Sequence, residues 1–164
     1  MKVSISTIAA ALMCATQASA QSTDVPETLK PAPNEVLVMV VAAEGVQIYE
    51  CRGGNWAFVA PKASLFDRNG YRIGSHYAGP HWEAADGSRV VGTVKSRANA
   101  PEADAIPWLL LSTKSDGPDG AFSRVTSIQR VHTTGGVGPT GNCAEPGDRA
   151  RVAYTADYYL FRAK

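Results

Sequence analysis

The side chains best suited to chemistry crowd into one stretch, Gly74 to Gly92 (GSHYAGPHWEAADGSRVVG). There His76, Tyr77, His81, Trp82, Glu83, Asp86 and Arg89 stand between turn-forming residues. Imidazole combined with carboxylate is the donor set of zinc, manganese or iron centres, and also of general acid–base pairs. His81 and Glu83 are two residues apart, so a strand puts both on one face, and His76 can return to that face from a neighbouring strand. The catalytic candidates are therefore His76, His81, Glu83 and Asp86, and the metal candidates His76, His81 and Glu83. Tyr77, Trp82 and Arg89 offer stacking surfaces and a cation to a bound ligand. The spacing matches no established signature such as HExxH. The same residues also suit a purely structural network, in which Asp86 caps a turn and Glu83 pairs with Arg89 across a hairpin.

Two other templates fail on context. Gly136 to Gly141 (GVGPTG) spells G-x-G-x-x-G, but dinucleotide binding needs those glycines between a strand and a helix N-terminus. Pro139 and Pro146 deny that helix. No serine sits in a G-x-S-x-G elbow, so nucleophilic catalysis has no local signal. No cofactor is implied.

The elements that position the cluster read as strands. Glu35 to Ala43 (EVLVMVVAA) is a nearly unbroken apolar run, ended by Gly45, and Val46 to Cys51 alternates as a second strand. Trp56 to Val59, stopped by Pro61, completes a hairpin. Ala63 to Asp67 and Tyr71 to His76 flank Arg68-Asn69-Gly70, a strong hairpin signal because Asn and Gly tolerate positive φ. His81 to Ala84 and Ser88 to Lys95 flank a turn at Ala85-Asp86-Gly87. Trp108 to Thr113 and Phe122 to Thr133 read as further strands. Thr134 to Arg149 reads as a long Gly/Pro-rich loop, and Val152 to Phe161 as the clearest long strand. With turn formers every eight to twelve residues and no amphipathic helix, the expected fold is a single all-β domain. It is an antiparallel sandwich or barrel of roughly 8–10 short strands over residues 35–164.

Residues 1–20 stand apart. A positive start at Lys2, an apolar run over Val3 to Ala15 and Ala18-Ser19-Ala20 before Gln21 make up the layout of a secretory signal peptide cleaved after Ala20. The run is shorter than the roughly 20 residues a membrane-spanning helix needs. Gln21 to Asn34, with three prolines, reads as an extended lead-in. Sixteen basic residues face 15 acidic ones, without charge runs. That balance argues against nucleic acid or a charged membrane surface as partner. The partner classes that remain are a small molecule, a glycan or an envelope component. Beyond the signal segment only Cys51 and Cys143 remain, an even pair in an oxidising compartment, which predicts a disulfide. Closing a loop of about 90 residues stabilises by about 4–5 kcal/mol on the chain-entropy model.

Taken together, VQIYEC (46–51), W-x-F-x-x-P-x-A-x-L (56–65), HYAGPHWEAADGSRV (76–90), IPWLLL (106–111), IQRVHTTGG (128–136) and YTADYYLF (154–161) resemble the bacterial and fungal family catalogued as domain of unknown function 3455. The resemblance implies secreted or envelope proteins with a β-rich domain and no established activity, so it carries over no catalytic residue. The sequence thus points to a secreted or periplasmic, non-enzymatic binding or structural module. The alternative is a small metal-assisted hydrolase, or another enzyme, built on the His/Glu/Asp cluster at 76–86.

Overall fold

The computed structural model describes residues 25–164; the signal-peptide reading falls outside them. Eight antiparallel strands follow one another around a closed barrel: β1 (Glu35–Arg52), β2 (Asn55–Phe66), β3 (Arg72–Tyr77), β4 (His81–Ala84), β5 (Arg89–Ala98), β6 (Trp108–Ser115), β7 (Ser127–Gly135) and β8 (Arg149–Ala163). The ring closes where β1 pairs with β8, from Glu35 opposite Ala163 to Glu50 opposite Arg149. Of the two architectures the strand spacing allows, the barrel is the one formed. No described helix is long and apolar enough to cross a membrane.

Three expected boundaries are corrected. Gly45 does not end a strand: β1 runs through it, because the chain packs too closely there for a side chain. A Cβ at Gly45 would lie 2.2 Å from the Lys62 carbonyl oxygen. Pro61 does not stop β2 either. β3 pairs with β2 only from Ala63 onward, so the missing N–H of Pro61 falls where that side of the strand has no neighbour. Finally, β7 begins at Ser127 rather than Phe122. Phe122 and Val125 instead belong to a loop that turns into one end of the barrel, where Phe122 is wholly buried.

Strand alternation sends Val41, Leu65, Trp82, Val90, Leu111, Ile128, Tyr158 and Leu160 into one interior cluster. A satellite cluster lies outside the wall, where Leu29 of a 3₁₀ turn (Glu27–Leu29) covers Trp108, Leu110 and Val131. Gln129 Nε2 donates to the Leu29 carbonyl at 2.7 Å, tying the lead-in to β7. The two ends of the barrel differ. One is plugged by Phe122, whose amide donates to Ser88 Oγ while the Ala121 amide donates to Asp86 Oδ2. Around the other stand the β1–β2, β3–β4, β5–β6 and β7–β8 connections. The Cys51–Cys143 disulfide (Cα–Cα 5.7 Å) fastens the long β7–β8 loop to the β1–β2 hairpin there. Backbone bonds from Cys143 N to the Gly54 carbonyl and from Cys51 N to the Asp148 carbonyl flank it.

Two measurements check this frame. Denatured, unreduced protein spanning residues 25–164 should show no free thiol, and Cys143→Ser should lower stability by about 2–5 kcal/mol in urea denaturation. Gly92→Ala should cost about 1–3 kcal/mol and alter the near-ultraviolet circular dichroism, because its Cβ would lie 2.7 Å from the Trp82 ring.

Candidate functional site

The seven residues picked out by chemistry are divided by the barrel wall. β3 and β4 pair Tyr77 with His81, His76 with Trp82 and Ser75 with Glu83. Alternation then turns His76 and Trp82 inward, both buried, and Tyr77, His81 and Glu83 outward. Outside, Tyr77 Oη donates to Glu83 Oε2 at 2.5 Å, and Arg89, opposite Glu83 across the hairpin, lies 3.6 Å from the same oxygen. Arg89 Nε donates to Asp116 Oδ1 at 2.9 Å, and His81 Nε2 faces Asp116 Oδ2 at 2.9 Å. Arg89, with His81 beside it, holds the Asp116 carboxyl below the usual range. Asp86 is elsewhere, at the β4–β5 turn, where it accepts from the Ser88 amide and hydroxyl and anchors the plug loop. The Glu83–Arg89 pair and the Asp86 turn are thus present as the structural reading had them. Metal candidates His76, His81 and Glu83 do not converge. Among the described residues, no group of three or more His, Cys, Asp and Glu is placed to hold a metal ion.

The inward pair sits in a different environment. The His76 ring stacks on Trp82 with centroids 4.1 Å apart and meets the edge of Tyr158 at 5.3 Å. Its Nδ1 lies 2.8 Å from the His81 carbonyl, which can only accept, so Nδ1 carries the proton. Burial, aided by the positive charge of Arg130, pushes the His76 pKa down to about 3, and the ring is neutral at pH 7.

His76 and Trp82 face a cavity of about 530 Å³ inside the barrel, toward the end opposite Phe122. Leu109, Leu111 and the rings of Trp82 and Tyr158 give it apolar walls. Phe58, Val59 and Val94, 54%, 36% and 49% exposed, form its apolar rim. Three polar residues join His76 on the inner surface: Gln47 of β1, Arg130 of β7 and Arg97 of β5. Arg130 Nε and Nη2 both donate to the Pro107 carbonyl, at 3.1 and 2.7 Å. Gln47 Nε2, Trp82 Nε1 and the Tyr158 hydroxyl are buried and make no hydrogen bond to a described residue. The Tyr158 hydroxyl lies near the Arg130 guanidinium and the Tyr154 hydroxyl without bonding geometry to either, and burial pushes its phenol pKa up.

Of the residues proposed for ligand binding, Trp82 lines the cavity, while Tyr77 and Arg89 lie on the outer surface. Gln47 and Arg130 escaped the sequence reading, whereas Tyr158 lies on the last strand it identified. Their signal was phase: Arg130 falls in step with Ile128, Gln47 with Val41 and Ala43, and Tyr158 with Leu160, all of them interior positions.

The buried His76 makes stability pH-dependent. Above pH 6.5 both folded and unfolded states hold it neutral. Below that, only the unfolded chain takes up the proton, so stability falls progressively toward pH 3, by about 1.4 kcal/mol per pH unit. Between pH 6.5 and 5, wild type should therefore lose about 2 kcal/mol more than His76→Phe in urea denaturation. Equal losses would show that the imidazole is not held neutral.

No curated protein and no solved structure matches the chain. A family model described as protein of unknown function (DUF3455) matches residues 31–162, which include all eight strands but for the last residue of β8. The chain belongs to the DUF3455 family.

Proposed function

We propose that this protein is an exported binding module that holds one small, mostly apolar molecule inside its barrel. The observation that carries this reading is the cavity of about 530 Å³, apolar-walled and apolar-rimmed. Its volume falls in the roughly 300–1,000 Å³ range of small-molecule sites. Eight-stranded barrels have an interior wide enough either to be filled by side chains or to hold one such ligand. Here the plugged end is filled and the other half is not. Export is supported by the signal-like residues 1–20 and by the disulfide, which persists in oxidising compartments. A binding rather than catalytic role is supported by the placement of His81, Glu83 and Asp116. These are the groups best suited to acid–base work, and they are tied to one another and to Arg89 outside the wall.

Titration with the neutral fluorescent probe N-phenyl-1-naphthylamine tests this. Wild type should bind one probe per chain with saturation. A Val59→Trp/Val94→Trp variant, which narrows the rim at half-exposed positions, should bind at least about tenfold more weakly at unchanged stability. Unsaturable binding, or binding untouched by rim closure and lost on Leu37→Arg, at an exposed apolar position of β1 that does not line the cavity, would overturn it.

A further inference from the structure

We infer that the molecule held in the barrel is an organic anion: an apolar body carrying a carboxylate-type head that Arg130 binds, with Gln47 and Tyr158 donating beside it. This rests on the binding reading above and adds to it the charge of the ligand.

The charge balance of the cavity is one-sided. Its described lining residues include Arg97 and Arg130 but no Asp or Glu. The chain as a whole is near neutral, so this is a local arrangement and not a general excess of cations. The arginines outside this cavity are either exposed, as Arg68, Arg72, Arg124, Arg151 and Arg162 are, or ion-paired. Arg89 has Asp116 and Glu83, and Arg52 and Arg149 share Glu50. Arg130 has no carboxylate within ion-pairing distance among the described residues, although it points into the barrel opposite Tyr158. Its bonds to the Pro107 carbonyl fix the guanidinium plane without neutralising it. Arg130 is half-buried with only a neutral carbonyl as its hydrogen-bond partner, so a bound carboxylate adds charge-assisted bonds through the fork geometry that Arg matches.

The uncharged groups agree. Gln47 Nε2, the Trp82 indole N–H and the Tyr158 hydroxyl are each at least nine-tenths buried, line the same cavity and lack an acceptor. All three can donate, and an oxyanion supplies several acceptor sites at once. A cationic ligand would meet two arginines and no acid. A neutral one would satisfy donors but leave Arg130 unpaired. Arg130 pairs with Leu109 and Tyr158 on the inner wall, and Phe58, Val59 and Val94 line the same cavity as apolar contacts for the body of the ligand. Arg97, exposed and lining the same cavity, adds a steering charge.

Calorimetric titration with matched ligand series tests the inference. One series is 1-naphthaleneacetic acid, its primary amide and 2-(1-naphthyl)ethylamine; the other is decanoic acid, decanamide and decylamine. At pH 7 the acid of at least one series should bind wild type at least about tenfold more tightly than its amide, with the amine weakest. Arg130→Met should erase the acid's advantage while leaving amide affinity within about threefold of wild type. A second measurement needs no variant: acid affinity for wild type should fall as the ligand is protonated below its own pKa, with amide affinity flat over the same range. If amide and acid bind wild type equally well, or if folded Arg130→Met keeps the preference, the anion assignment is overturned and the cavity reading stands. If none of the compounds binds, the cavity reading falls with it.

Discussion

The pairing of β1 with β8 is the constraint from which the rest of the molecule follows. It turns an antiparallel sheet into a ring without edges, and it is the longest ladder in the fold. The ring also brings strands and side chains close enough that two positions admit no side chain. Gly45 lies against the Lys62 carbonyl and Gly92 against the six-membered ring of Trp82. The closed ring also fixes an interior volume that the inward side chains fill or leave empty. Near the plugged end Leu65, Val90, Ile128, Leu160 and Phe122 fill it. Toward the other end the inward positions bring Gln47, Pro61, His76 and Arg130, which border a space rather than close it.

Each chemically suggestive group then takes its role from the side of the wall on which it falls. His81, Glu83, Arg89 and Asp116 meet on the outside, where solvent screens each ion pair and the network serves mainly to join β4 and β5 to the loop after β6. Asp86 and Ser88 hold the plug. His76, adjacent in sequence to the outward Tyr77, is stacked and neutral inside. The disulfide acts on the remaining variable, the long β7–β8 loop, and holds it against the β1–β2 hairpin at the cavity end. What the protein leaves unpaired is as informative as what it pairs: an inward guanidinium and three buried donors share one apolar cavity.

Much of this was legible in the sequence. The Asn69-Gly70 and Asp86-Gly87 turns, the alternation of β8, the pairing of Cys51 with Cys143 and the all-β class all follow from local rules that tertiary structure did not override. The errors came where a local rule met a long-range one. Gly45 and Pro61 are strand breakers by propensity. Barrel closure needs the first as a close-contact point, and the short β3 leaves the second facing no partner. Phe122 opens an imperfectly alternating run that reads as strand, yet its role as a plug depends on Asp86 and Ser88, more than 30 residues earlier. The cavity is hard to read from sequence for a related reason. Titratable residues crowd into 76–89, whereas the cavity takes its lining from every strand, and no short motif encodes it.

The central claim, that the barrel interior is the binding site, is tested most directly by the indole N–H resonances of the three tryptophans. Trp82 lines the cavity, Trp108 lies in the satellite cluster outside the wall, and Trp56 pairs with Cys51 near the β1–β2 hairpin tip. In a ¹⁵N–¹H spectrum recorded during titration with an apolar carboxylate, the account predicts that the Trp82 signal shifts with saturation while Trp108 and Trp56 stay in place. Saturable binding that moves Trp108 or Trp56 and leaves Trp82 unchanged would contradict it.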